Sequence, residues 1–217
     1  LPLSKEQQAE YLNLMYTQAN RMQNLVEDLL ALSALESSPN AGEGGEPVDL
    51  SGIAQKTGDE AQQLSAGKHN ISVDVEKDLM GFGNSAEIFS AFSNIVTNAV
   101  RYTPENGKIS ISLRRAENEL GKACAAFVVK DTGIGISAEH IPRLTERFYR
   151  VDRSRSRESG GTGLGLAIVK HVVQRHDGEL DIQSRPNAGS TFTILMPLAK
   201  VGAASKPTLT EITPSIA

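Results

Sequence analysis

The sequence holds no tryptophan and one cysteine, Cys124, and aromatic residues make up only 5% of its 217 positions. A single cysteine excludes an internal disulfide and any cysteine-based zinc cluster. The four histidines, His69, His140, His171 and His176, are scattered without zinc-ligand spacing. With 39% hydrophobic residues and so few aromatics, the core is expected to be mainly aliphatic. A formal charge of −4 makes no general case for nucleic-acid binding. No apolar run approaches the roughly 18 residues needed to span a membrane, and no signal-peptide pattern opens the chain. The chain is therefore expected to be soluble. Cys124 lies in the apolar run ACAAFVV, where a buried, inert thiol is expected.

Ser4 to Ser37 reads as one long helix, with Ser4 and Gln7 placed for a capping box. Met15, Ala19, Met22, Val26 and Leu29 follow the spacing of a bundle or coiled-coil seam, which Leu25, Leu30 and Leu32 widen. Such a stripe predicts partner helices. Residues 37–47 have the composition of a linker. Beyond Pro47 the texture is mixed. Strands are predicted near 47–50, 71–75, 80–83, 108–115, 123–130, 179–184 and 190–197, and helices near 51–66, 85–101, 137–143 and 163–175. Neighbouring strands joined without helices argue for an α+β layer, not a doubly wound parallel sheet. From Lys200 a small, polar, proline-containing stretch predicts a loose tail.

Four local features stand out. In SAEIFSAFSNIVTNAVRYTP, Ile88, Phe92, Ile95 and Ala99 mark a core face, while Glu87, Asn94, Asn98 and Arg101 mark a second one. Asparagine is a poor interior helix residue. The pair is either a solvated face or a source of carbonyl oxygens for a hard cation such as Mg²⁺. In AAFVVKDTGIGIS an apolar strand ends at Asp131, and Gly133 and Gly135 turn the chain so that something flat can pack on backbone. A plain turn aspartate is the alternative. Between Arg143 and Arg157 lie six arginines against Glu146 and Asp152, a local positive segment suited to an anion. Phe148 and Tyr149 are expected to anchor it. It runs into GGTGLGLAIVKHVV, where glycines and a helix start suit a phosphate, although neither a Walker A loop nor a dinucleotide fingerprint fits. The fourth feature, NAGSTFTILMP, is a Gly-Ser-Thr turn feeding a late strand.

Taken in order, these stretches resemble the ATP-binding domain of sensor histidine kinases. NIVTN is similar to the N box, DTGIGIS to the G1 box, RFYRVD to the F box, GTGLGLA to the G2 box and GSTF to the final glycine motif. RMQNLVEDLLALSALE resembles the second helix of the family's dimerisation and phosphotransfer hairpin, and the phosphate-regulon branch is the best fit. The resemblance implies a two-layer α/β sandwich of the GHKL (Bergerat) ATPase type over residues 47–199. It also implies a truncated hairpin helix at 1–38, a linker at 39–46 and a flexible tail at 200–217.

The same resemblance implies ATP and Mg²⁺ as ligands. Asn98 would hold the metal, supported by Asn94. Arg101 would face phosphate, and Tyr102 would lie against adenine. Asp131 would accept from the adenine amino group beside Gly133 and Gly135, and Arg150 would stand near the γ-phosphate. Gly161, Gly163 and Gly165 would permit backbone contacts to phosphate, with Thr162 and Leu164 beside them, and Thr191 would complete the adenine side. The implied reaction passes the γ-phosphoryl group to a histidine and then to an aspartate of a response regulator. None of the four histidines sits in an acceptor motif, so this chain is expected to bind Mg-ATP without autophosphorylating. The parent is expected to be a homodimer carrying membrane and sensory segments upstream, with this portion in the cytoplasm. The alternatives are a nucleotide-inactive regulatory module, or another ATPase or serine kinase of the same superfamily.

Overall fold

The computed structural model describes residues 4–37, 45–151 and 161–199. The predicted tail, most of the linker, and Arg153, Arg155 and Arg157 lie outside them. Helix α1 spans Lys5–Ser37. Its capping box forms as predicted: the Gln7 N–H donates to Ser4 Oγ at 3.2 Å, and the Ser4 N–H donates to Gln7 Oε1 at 3.0 Å. Its apolar residues divide between two faces. Leu32 is buried, with Leu25 and Leu35 packed beside it against the core. The predicted seam of Met15, Ala19, Met22, Val26 and Leu29 is exposed. At 100° per residue the two stripes lie about a third of a turn apart, so the helix docks with one and leaves the other open.

The main sheet has the spatial order β2 (Asn70–Val75), β4 (Lys108–Glu117), β5 (Ala123–Asp131), β7 (Ser190–Pro197), β6 (Glu179–Ser184). Among the described strands only β2 and β4 pair in parallel; their connection passes through β3 (Met80–Gly83) and α3 (Ser85–Tyr102). The other pairs are antiparallel. β3 also pairs antiparallel with β1 (Glu46–Asp49) in a small second sheet. The main strands bury alternate residues, as period two requires: Ile109, Ile111 and Leu113 on β4, Phe127 and Val129 on β5, Phe192, Ile194 and Met196 on β7.

Three helices, α2 (Leu50–Ser65), α3 and α4 (Gly165–Arg175), cover that face and close the two-layer sandwich. Phe92 of α3 stacks on Phe127 of β5 with ring centroids 3.8 Å apart, fixing the helix over the middle of the sheet. Ile88, Phe92, Ile95 and Ala99 are all buried, as the periodicity of α3 predicts. So is Cys124, whose thiol pKa burial pushes up.

Several boundaries differ from the sequence reading by one or two residues, and three differences bear on the surroundings of the cavity or the linker. The helix predicted at 137–143 is one 3-10 turn, Ile141–Arg143, because Pro142 withdraws a backbone donor. α4 starts at Gly165 and not at 163, because Gly163 has a positive φ of 77° that no helix accepts. β1 begins at Glu46, inside the predicted linker.

Candidate functional site

A cavity of about 1090 Å³ opens between α3, the C-terminal end of β5, the segment before α4, and α1. At its first end stands Asp131, the last residue of β5 and only 5% exposed. Its Oδ1 accepts from the Gly133 N–H at 2.7 Å and the Ser190 N–H at 3.2 Å. Both bonds fall on Oδ1; Oδ2 has no hydrogen-bond partner among the described residues. Burial raises the carboxyl pKa, and the two backbone donors oppose the rise.

The glycines after Asp131 bring chain against chain. Gly135 has a φ of 66°, and a methyl group there would overlap the Arg185 carbonyl. The Ile134 N–H donates to the Tyr102 carbonyl at 3.2 Å, and the Asn187 N–H donates to the Ile134 carbonyl at 2.7 Å. These contacts come from the end of α3 and from the turn between β6 and β7, while Ile134 and Gly135 also line the cavity.

α3 supplies the long wall with Asn94, Asn98, Arg101 and Tyr102. Asn84 caps this helix, its Oδ1 accepting from the N–H groups of Ala86 at 2.9 Å and Glu87 at 3.2 Å. Asn94 Nδ2 donates to the Ser90 carbonyl at 2.9 Å, and its Oδ1 turns toward Gly165, where a methyl group would overlap it. Glu87 leaves the group: it pairs with Arg175 of α4 at 2.9 Å, away from the cavity.

At the second end Gly161, Thr162, Gly163 and Gly165 line the cavity with Arg101 and Arg150. The Arg150 pKa is lowered, first by burial and then by the nearby charges of Arg21 and Arg101, with Tyr102 opposing the shift. α4 begins at this end with no side-chain cap on Leu164. An anion would be favoured by its first-turn N–H groups and by the helix dipole. Tyr149 anchors the arginine segment: its hydroxyl is bonded to His140 Nδ1 at 2.7 Å, and Arg143 lies 4.2 Å over its ring. Phe148 does not anchor through its ring, which is 56% exposed. Its backbone does, with the N–H donating to the Gly163 carbonyl at 2.9 Å.

Gly133, Leu164 and Thr191 do not line the cavity. Leu164 is fully buried in the core. Thr191 points to the opposite sheet face from its buried neighbours Ser190 and Phe192, both of which do line it. Sequence reasoning missed Ser190, whose N–H orients Asp131. It also missed Asn24, Glu27 and Asp28 of α1, which form part of the wall. Asp28 Oδ2 accepts from Thr162 Oγ1 at 2.6 Å. Nearby, Glu36 of α1 pairs with Arg147, and His171 Nε2 lies 3.8 Å from the same carboxylate. The spacing of Asn24 and Asp28, one turn apart beside Leu25 and Leu32, was the only available signal.

Residues 83–200, more than half of the chain, match the model for histidine kinase-, DNA gyrase B- and HSP90-like ATPases. The chain belongs to that family. Residues 2–38 match the His Kinase A (phospho-acceptor) domain, which places this ATPase domain in its histidine kinase branch. The phosphate regulon sensor protein PhoR of Pseudomonas aeruginosa is 50% identical over 193 residues, covering 88% of this chain and 42% of PhoR. The sensor-like histidine kinase SenX3 of Mycobacterium tuberculosis is 38% identical over 185 residues, covering 83% of this chain and 43% of SenX3. The chain thus spans about two fifths of the length of these relatives.

Among solved structures, the mycobacterial sensor histidine kinase MprB superposes with a TM-score of 0.61 at 27% identity, covering 71% of this chain and 97% of that one. Full-length ShkA in complex with AMPPNP gives a TM-score of 0.71 at 23% identity, covering 92% of this chain and 40% of ShkA. At that identity the likeness shows the shared fold. No described helix of the histidine kinase chain is long and apolar enough to cross a membrane.

Proposed function

We propose that residues 47–199 bind ATP with Mg²⁺ and serve the phosphoryl-transfer step of a sensor histidine kinase of the phosphate-regulon type. The reading rests on one observation: a buried carboxylate with an oxygen left for an amino group shares a cavity with Arg101, Arg150, Thr162 and an uncapped helix N-terminus. The cavity, at about 1090 Å³, is large enough for a nucleoside triphosphate. Asp131 selects the base through its Oδ2, while Tyr102 lies along it. Arg101, Arg150, Thr162 and the first N–H groups of α4 hold the phosphates and neutralise charge as the terminal group transfers. The donor set suits a hard cation, with Asn98 as the protein oxygen and Asn94 beside it. Bound Mg²⁺ would supply further charge neutralisation on the phosphate oxygens.

The acceptor is a histidine outside these residues: the segment matching the phospho-acceptor domain contains none. An aspartate of a response regulator receives the group next. The exposed stripe of α1 pairs in the homodimeric parent, whose upstream segments hold it at the inner membrane with this portion in the cytoplasm.

Calorimetric titration of ATP with Mg²⁺ tests the reading. Binding that weakens tenfold to a hundredfold in Asp131→Asn supports it, the loss of a charged hydrogen bond being worth roughly 1.5–3 kcal/mol. No binding by the folded chain would favour a nucleotide-inactive regulatory module. Labelled ATP should leave no acid-labile phosphohistidine on this chain; its appearance would overturn the acceptor assignment.

A further inference from the structure

Thr162 has one hydroxyl proton, and the structure commits it. Oγ1 accepts from the Leu164 N–H at 3.2 Å and donates to Asp28 Oδ2 of α1 at 2.6 Å. Thr162 also lines the phosphate end of the cavity, so a phosphate oxygen arriving there meets a hydroxyl already spent on a carboxylate. Asp28 and its neighbour Glu27 face the same cavity and add negative charge where a polyphosphate would lie. On the docked face of α1, Asp28 sits between Leu25 and Leu32, with Glu36 one turn beyond on Arg147.

We propose that Asp28 is a phosphate-competitive latch: its carboxylate takes the Thr162 hydroxyl in place of a nucleotide phosphate, so that nucleoside triphosphate binding and docking of α1 oppose each other. The coupling is reciprocal: ATP loosens α1, and a docked α1 weakens ATP. A nucleoside without phosphates reaches only the Asp131 end and leaves the latch closed. This inference rests on the nucleotide reading above.

The test compares ATP with adenosine, both titrated into the 217-residue chain and into Asp28→Ala and Asp28→Asn. Asparagine removes the charge while keeping an acceptor, which guards against loss of folding in the alanine variant. Asp28→Ala should tighten ATP by about fivefold or more, the lower end of ordinary coupling, and leave adenosine unchanged. Asp28→Asn should move ATP in the same direction by less.

Spin labels at Glu10→Cys on α1 and Glu119→Cys on the β4–β5 turn, both exposed positions, should report a changed distance with ATP and none with adenosine, in a Cys124→Ala background. Unchanged ATP affinity in both variants would overturn the latch. So would weaker ATP affinity confined to Mg²⁺-containing buffer, which would make Asp28 a cation ligand. Adenosine binding weakened by Asp131→Asn keeps the nucleotide site standing whichever way Asp28 falls. Absence of both ligands from the wild-type chain overturns the site and the latch together.

Discussion

At the Asp131 end of the cavity the close contacts are made mainly by backbone groups, and at the Thr162 end mainly by side chains. Asp131 is oriented by two peptide N–H groups, and Gly135 lies against the Arg185 carbonyl. Across the cavity Gly165 lies against the Asn94 amide, Gly161 lies near the Arg101 guanidinium, and Thr162 is held by a carboxylate from another helix. Peptide groups locked at the ends of the central strands β5 and β7 have one arrangement. Side chains have several rotamers and can be redirected by a ligand. The difference fits a site that recognises the base rigidly and the phosphates adaptively.

Gly135→Ala should strike hardest. It combines a left-handed backbone with overlap on a carbonyl that has no rotamer to escape into, and should cost about 3 kcal/mol of stability in urea denaturation. A loss under about 1 kcal/mol would mean that the base end yields like the other.

The next effect is that of Asp131→Asn, whose loss of ATP affinity is set out above. It also carries a pH signature. Because burial raises this carboxyl above its ordinary value of 3.8, the folded chain keeps the proton after the unfolded chain has lost it. Its contribution to stability is therefore full at acid pH and falls as pH rises through the window from 3.8 to the raised value. Asparagine does not titrate, so thermal melts should show the variant gaining on wild type as pH rises and losing that gain on acidification.

Gly165→Ala separates the two ends. Asn94 can swing aside, so stability should change by no more than about 0.5 kcal/mol. Calorimetry should nevertheless show ATP binding several-fold more weakly, because the displaced amide enters the phosphate end. Smallest is Glu36→Gln, which removes the half-exposed pair with Arg147 at the same α1 interface. It should cost about 0.5 kcal/mol or less, and the cost should shrink further in high salt.

Much of this molecule is dictated locally. The period of α3 placed Ile88, Phe92, Ile95 and Ala99 in the core, and alternation placed the sheet strands, because backbone geometry fixes which residues share a face within one element. The asparagines one turn apart, Asp131 at a strand end, and the glycines before α4 were visible for the same reason. Only the tertiary structure decided what those faces meet. Glu87 shares a face with Asn94 in sequence, yet it closes on Arg175 because α4 crosses α3 there.

Thr191 and Ser190 are both small and polar, so composition could not choose between them; the register of β7 against β5 turned Ser190 toward Asp131. The rotation of α1 was undetermined too, since two apolar stripes compete on it and a lone helix has no reason to prefer one. Docking against α4 selected Leu25, Leu32 and Leu35, and in doing so carried Asp28 to Thr162. Chain periodicity sets what a helix can present, and only packing between distant elements sets what it touches.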